Sequence, residues 1–264
     1  MDESKQLNLD KNYYSVVHND IIKGKQRMTL REAQLLHIAI SQVLQQDDEF
    51  SAYTTTAIKL ARFLGVSKQN LYRDLDKITD QLMSRIIKCK VNGEYTKFQW
   101  VKKCKYNPDT KVITIELHDD LKPYLLHLKR FYTQTQIETI LTFKSYYAFR
   151  LYQLIVCECG EKKSKEAEFN LSIEDIRDFF QTGDKYKQNR DLIKKTIKPA
   201  LAELNASDYC LILDEAEIHL HTKGSPIQGI KFRAIVCDDK NDKAARLKAE
   251  RLRLALEVNN YENS

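Results

Sequence analysis

The chain has 264 residues, 42% of them hydrophobic, with a formal net charge of +6 and a pI near 8.8, which is enough for one large domain or two ordinary ones. It has no apolar run of the ~18 residues a membrane helix needs, no signal-peptide pattern and no GxxxxGK[ST] loop, so membrane insertion and an ATPase of its own are not expected. Its six cysteines (Cys89, Cys104, Cys157, Cys159, Cys210 and Cys237) form no CxxC pair, so they read as small core residues of a reduced, cytoplasmic protein with no metal and no cofactor.

Residues 1–12 are polar and expected to be loose, and Tyr14–Ile22 reads as extended. Thr29-Leu-Arg-Glu32 is a capping box that opens a helix with Leu30, Leu35, Leu36, Ala39, Ile40 and Val43 as its apolar face. The polar loop Gln45–Glu49 ends it. Thr54–Leu64 then reads as a short helix, Gly65 as its break and Ser67 as the cap of a longer helix to about Ile86. Leu71, Leu75, Ile78 and Leu82 share one face of that helix, and Gln69, Asn70, Arg73 and Lys77 lie on the other. Short helix, glycine turn and amphipathic helix with polar residues outward is the helix-turn-helix pattern. Asp74, Asp76 and Asp80 on the same helix would repel phosphates and count against deep base reading.

Two β-type runs follow, Thr96–Tyr106 and Lys111–Leu117, around the turn Asn107-Pro-Asp-Thr110. A hairpin in this place is the wing, and Lys97, Lys102, Lys103 and Lys105 make its first strand a phosphate rail. The alternative is an edge strand blunted by lysines. Residues 59–105 carry 12 cations against 4 anions. Such an island is the electrostatic footprint of a polyanion.

His118–Leu128 reads as a short helical join, and beyond it the order repeats. Leu141–Cys159 is a long helix, Glu161–Glu168 a charged loop, and Ser172 the cap of a short helix ending at Phe180. Gln-Thr-Gly-Asp184 breaks it. Asn189–Asn205 is amphipathic, with Ile193, Ile197, Leu201 and Leu204 toward the core and Lys187, Arg190, Lys194 and Lys198 on an adjoining arc. Gln188 and Asn189 stand at its start, where recognition helices present side chains to bases, and Lys195 adds a lateral phosphate contact. Residues 185–198 carry 6 cations against 1 anion. Tyr209–Leu213 and Gly229–Val236 are strands of a second wing. The expected fold is α+β: two tandem winged-helix domains, 1–128 and 129–238, each a helix-turn-helix followed by a β-hairpin wing, and a charged tail at 239–264.

Phe143-Lys-Ser-Tyr-Tyr-Ala-Phe-Arg-Leu-Tyr-Gln-Leu154 resembles the Arg-Leu-Tyr helix of iteron-binding replication initiators of theta-replicating plasmids. Val17-His-Asn-Asp20, Leu117–Leu125, Phe131–Gln134 and Lys198–Asn205 are similar to the same family. The resemblance spans about residues 14–236. It implies a second domain that makes the main contact with repeated origin DNA and a first that adds contacts and forms homodimers in equilibrium with monomers. It also implies opening of an AT-rich region, recruitment of a host initiator and helicase, and repression of the protein's own gene by the dimer. Arg150 becomes a backbone contact by that resemblance; its other reading is an ion pair or packing stem.

Two other functions compete. His219-Leu-His221 places two imidazoles on one strand face, as rolling-circle nucleases do for a metal. Such an enzyme also needs a nucleophilic tyrosine downstream, and only Tyr261 lies there, so no enzyme is expected. A tandem winged-helix transcriptional regulator would share every feature but the repeats in its DNA. On the initiator reading, Gln188, Asn189 and Arg190 read bases while Lys194, Lys195 and Lys198 hold phosphates, and the first domain docks one turn away through Gln69, Asn70, Arg73 and the Lys97–Lys105 strand.

Overall fold

The structure is a computed structural model that describes residues 4–91, 93–219, 225–237 and 250. The chain divides into two compact units, Met1–Thr142 and Phe143–Ser264.

The first unit opens with β1 (Lys5–Gln6), β2 (Tyr14–His18), α1 (Asn19–Lys23) and β3 (Lys25–Gln26). The capping box of Thr29 and Glu32 then starts α2 (Leu30–Ile40), as expected. The next elements are β4 (Ala52–Thr56), α3 (Ala57–Phe63) and α4 (Lys68–Ser84). Thr54–Thr56, expected in the helix, are strand: they pair with Thr114, Ile113 and Val112, and β-branched side chains suit the pleat. Thr56 then caps α3. Gly65, at φ 65°, makes the turn and Ser67 caps α4. Leu71, Leu75, Ile78 and Leu82 are buried, as the period required. On α3, Leu60 and Ala61 are buried and Ile58 is exposed.

An additional hairpin, β5 (Ile86–Val91) and β6 (Glu94–Gln99), precedes the wing strands β7 (Val101–Asn107) and β8 (Val112–Leu117). The run expected as one strand, Thr96–Tyr106, is therefore two. Trp100 buries its indole between them, and its backbone bonds to Arg85 and His118, so the chain leaves one sheet and enters another. Asn107 closes the wing turn by accepting from the amides of Asp109 and Thr110. The sheets run β1-β4-β8-β7 and β3-β5-β6. A 3-10 turn (Asp119–Leu121), α5 (Lys122–Leu125), β9 (Tyr132–Gln136) and α6 (Ile137–Thr142) complete the unit. Because β9 pairs with β2, residues expected to open the second domain belong to the first, and the division falls after Thr142 rather than after Leu128.

The second unit comprises α7 (Tyr146–Glu161), β10 (Glu166–Ser172), α8 (Ile173–Phe180), α9 (Asn189–Leu192), a π-helical turn (Ile193–Ile197), α10 (Lys198–Asn205), β11 (Cys210–His219) and β12 (Ile227–Val236). Ser145 caps α7, and the Glu203 carboxylate accepts from the backbone of Lys144 at 2.6 Å. Glu166–Glu168, expected in a loop, pair with Arg233–Ile235 on β12. The sheet order is β10-β12-β11. A Cβ on Gly229 would lie 2.5 Å from the Leu171 carbonyl, so the close approach of β10 and β12 requires glycine there.

Both units thus repeat helix, strand, two helices and hairpin, and in each the strand before the helix-turn-helix pairs with the second wing strand: β4 with β8, β10 with β12. These are two winged-helix domains, the first with the β5–β6 hairpin inserted. Among the described residues no helix is long and apolar enough to cross a membrane. The expected amphipathic segment at 239–264 lies outside the described residues apart from Glu250.

In the first unit the carboxylate of Glu32 is fully buried and accepts from Arg85 at 2.6 and 3.0 Å. It fastens the start of α2 to the end of α4. Removing one member of a buried pair strands the other and costs roughly 3–5 kcal/mol; Arg85 keeps some access to water, which puts the cost near the lower end. Glu32→Leu is therefore expected to lower the unfolding free energy of the first unit by about 3 kcal/mol, seen as a lower urea midpoint in the fluorescence of Trp100, the chain's single tryptophan. An unchanged midpoint would show the pair to be energetically neutral.

Candidate nucleic-acid interface

In the first unit Gln69, Asn70, Arg73 and Lys77 all lie on the exposed side of α4. Arg73, however, forks onto Asp74 at 2.9 and 3.3 Å, and this hydrogen bond holds the Asp74 carboxyl below its usual range. A phosphate would have to compete with that carboxylate. The expected lysine rail of the wing does not exist as one strand. Lys97 lies on β6 in a different sheet, so it is no part of the wing. Lys102 sits at a β-bulge and reaches Glu116 at 3.0 Å and Asp119 at 3.1 Å; the bond to Glu116 raises its ammonium above the usual range. It is committed to carboxylates rather than offered to phosphate. Lys103 and Lys105 pair with Glu116 and Thr114, which puts both on the outer face of the β7–β8 wing.

The second unit presents its cations more openly. Lys187, Gln188, Arg190, Lys194, Lys195 and Lys198 are exposed. Ile193, Ile197, Leu201 and Leu204 are buried beneath them, so the amphipathic division holds. The phase differs from the expected continuous α-helix. Lys187 and Gln188 precede the first helical residue. A π-turn follows, in which the Lys198 amide bonds to the Ile193 carbonyl, while the Thr196 hydroxyl takes the Leu192 carbonyl at 2.7 Å. Pro199 has no N–H to continue the α pattern, and the widened turn absorbs that break.

Two residues expected to touch DNA are structural instead. Arg150 is 1% exposed; its guanidinium lies 4.2 Å from the Phe179 ring centre and donates to Gln153 at 3.3 Å. It packs α7 against α8 and cannot reach a phosphate. The Asn189 amide donates to the Ile227 carbonyl at 2.9 Å, and its oxygen accepts from Arg177 at 3.2 Å. Both ends of its side chain are occupied, so it anchors the helix start to the wing rather than reading a base.

Arg177 was missed. Its guanidinium donates to the backbone carbonyls of Lys185, Tyr186 and Lys187 as well as to Asn189. The loop it gathers contains three residues with left-handed backbone: Gln181, Gly183 and Tyr186. Lys195 adds a second tie, its ammonium 5.5 Å from the Tyr186 ring centre. A lone arginine on a short amphipathic helix reads as solvent-facing, and only the tertiary fold reveals its targets. Lys198 also has unexpected company. It shares a groove of about 720 Å³ with Asp214, Glu215 and Glu217 of β11, carboxylates from outside the 185–198 stretch. His219 donates from Nδ1 to the Ser225 carbonyl of its own hairpin at 2.9 Å; His221 and Tyr261 lie outside the described residues.

Comparison with known proteins agrees with this architecture. A sequence profile described as "Initiator Replication protein, WH1" matches residues 15–156, and one described as "Initiator Rep protein, WH2" matches residues 172–234. The chain belongs to the initiator replication protein family. A replication initiation protein of Escherichia coli is 22% identical to this initiator over 247 residues, covering 92% of the chain and 73% of that protein. The structure of the Pi initiator protein in complex with iteron DNA superposes with a TM-score of 0.68 at 17% identity, covering 87% of the chain and all of that protein. This likeness establishes the shared fold.

In this initiator the first turn of α9 is held by Arg177. Arg177→Ala is expected to raise amide exchange across Lys185–Leu192 and to weaken duplex binding about tenfold, ~1.4 kcal/mol, with the rest of the second unit still protected. Arg177→Lys should recover little, because an ammonium cannot span several carbonyls as a planar fork does. Unchanged exchange in the loop would rule out the clamp.

Proposed function

We propose that this initiator binds repeated duplex sequences at a plasmid replication origin, with the exposed start of α9 entering the major groove. The observation that supports this most strongly is the cluster of Gln188, Arg190, Lys194 and Lys195, exposed together and held in place from below by Arg177 and Asn189. Gln188 and Arg190 are the base readers, while Lys187, Lys194 and Lys195 neutralise phosphates. Lys198 contributes less, being beside the carboxylates of β11. In the first unit Gln69, Asn70 and Lys77 on α4, with Lys103 and Lys105 on the wing, supply accessory contacts. Two DNA-binding modules on one chain raise affinity through effective concentration.

The Pi initiator, whose fold this chain shares, was crystallised with iteron DNA, which supports tandem repeats as the target. We further read the role as binding without catalysis, in the cytoplasm. It would promote origin opening and recruit a host initiator and helicase, and as a homodimer in equilibrium with monomer it would repress its own gene.

The test compares a base reader with a phosphate contact. Arg190→Ala should cost about 1–3 kcal/mol on the cognate repeat and little on random duplex, whereas Lys105→Ala should weaken both alike and lower the salt slope by about one. Anisotropy titrations at several salt concentrations would measure this. Equal losses on cognate and random duplex from Arg190→Ala would refute base reading by α9. A footprint over tandem direct repeats is the expected pattern; a lone inverted repeat would favour a transcriptional regulator.

A further inference from the structure

The β3–β5–β6 sheet belongs to neither helix-turn-helix. Ile87, Cys89 and Phe98 point inward from it and are buried. The outward face follows from the register: Lys25 lies opposite Lys88, Lys88 opposite Lys97, Lys90 opposite Tyr95 and Ile86 opposite Gln99. Strand alternation puts all seven on one side. Four are lysines and none is a carboxylate. Blunting of an open edge accounts for a lysine on β6, but Lys88 sits on β5, between two strands, where no edge needs protection.

Tyr95 stands among these lysines. Its side chain is 57% exposed, and the ammonium groups of Lys88 and Lys25 lie 4.5 and 5.4 Å from its ring centre. Ile86 beside it is 50% exposed. Lysines spread across three strands ask for a polyanion, and a ring left in water among them asks for a flat partner. Duplex DNA meets the first demand only, since its bases are already stacked on one another. An unpaired strand meets both, and an aromatic residue on a cationic surface is the usual platform for one.

We propose that this sheet face binds single-stranded DNA, a base stacking on Tyr95 and the phosphates running along Lys88, Lys90 and Lys97. The site is separate from α9 and does not rest on repeat recognition. Arg190→Ala, which tests that recognition, should leave single-strand binding intact, so the two readings fail independently.

The experiment uses the full chain, a labelled oligothymidylate of about twenty nucleotides and a random duplex of equal length, followed by anisotropy. Stacking contributes about 1–3 kcal/mol per base, so Tyr95→Ala should weaken oligothymidylate binding at least about fivefold and leave duplex binding unchanged. Tyr95→Phe should bind like the parent. Lys88→Ala and Lys97→Ala should each lower the single-strand salt slope by about 0.7. Irradiation of a bromodeoxyuridine-substituted strand should crosslink to Tyr95, a readout that needs no variant to fold. The proposal is overturned by failure of the parent to bind the oligothymidylate, by equal losses on strand and duplex from Tyr95→Ala, by crosslinks elsewhere only, or by tighter binding of oligouridylate than of oligothymidylate.

Discussion

A helix reads DNA only if its first turn is held still, and in the second unit that turn hangs on the guanidinium of Arg177. The two helix-turn-helix segments solve the same problem differently. Between α3 and α4 the turn is short: Gly65 supplies the left-handed residue and Ser67 caps the next helix through its own hydroxyl. Between α8 and α9 the chain takes eight residues, Gln181–Gln188, and no side chain caps α9. Gln181 and Tyr186 adopt left-handed backbone without being glycine, a conformation that persists only where the surroundings over-determine it. Arg177 does so by collecting three consecutive carbonyls that would otherwise point into solvent at no fixed angle. Asn189 and the Tyr186–Lys195 contact carry the same constraint to the wing and along the helix.

Much of the architecture was legible because local chemistry and burial agreed. The Thr29–Glu32 box, the Ser67 and Ser172 caps and the leucines of α4 each encode an element and its inward face. What escaped was decided at long range. Thr54–Thr56 look helical until β8 is beside them, and Glu166–Glu168 look like charged loop until β12 pairs with them; the alternation of Ala167, Phe169 and Leu171 was the available sign. Trp100 breaks the run Thr96–Tyr106, because a buried indole can outweigh local strand preference. On the second unit, charge and spacing put Gln188, Arg190, Lys194 and Lys195 on the outward side, and they are exposed. Those signals could not tell a cation that faces water from one that serves the fold. By residue type Arg150, Lys102 and Asn189 read as contacts, and each is spent on a ring, a carboxylate pair or a carbonyl.

The basic stretch at 59–105 looks like one footprint in sequence and is three surfaces in space. Apart from Arg85, which pairs with the buried Glu32, its cations divide among α3 and α4, the outer face of the β7–β8 wing and the β3–β5–β6 sheet, which recruits Lys25 from well outside the stretch. The three differ in their anions. Asp74, Asp76 and Asp80 share α4 with its cations, and Glu116 and Asp119 draw Lys102 away on the wing, whereas the outward sheet face has no carboxylate among its seven side chains. Long-range attraction therefore belongs to the whole unit, but the site where a phosphate meets least competition is the sheet.

A chain that grips duplex with one surface and unpaired strand with another shifts the equilibrium between them by linkage. Bound nearby on duplex, the molecule would present its sheet face to an opened strand at an effective concentration in the millimolar range. If that face binds with a Kd a hundredfold lower, the open state gains about 2.7 kcal/mol. Separating DNA costs on the order of 1.4 kcal/mol per base-pair step, so a gain of that size would hold roughly two steps open. A helicase needs far more, and the shortfall sets a requirement on numbers: several copies on adjacent repeats, each contributing its small share, together with negative supercoiling. On the proposed reading, repetition of the binding site is then an energetic necessity, because each sheet face is too weak to open an origin by itself.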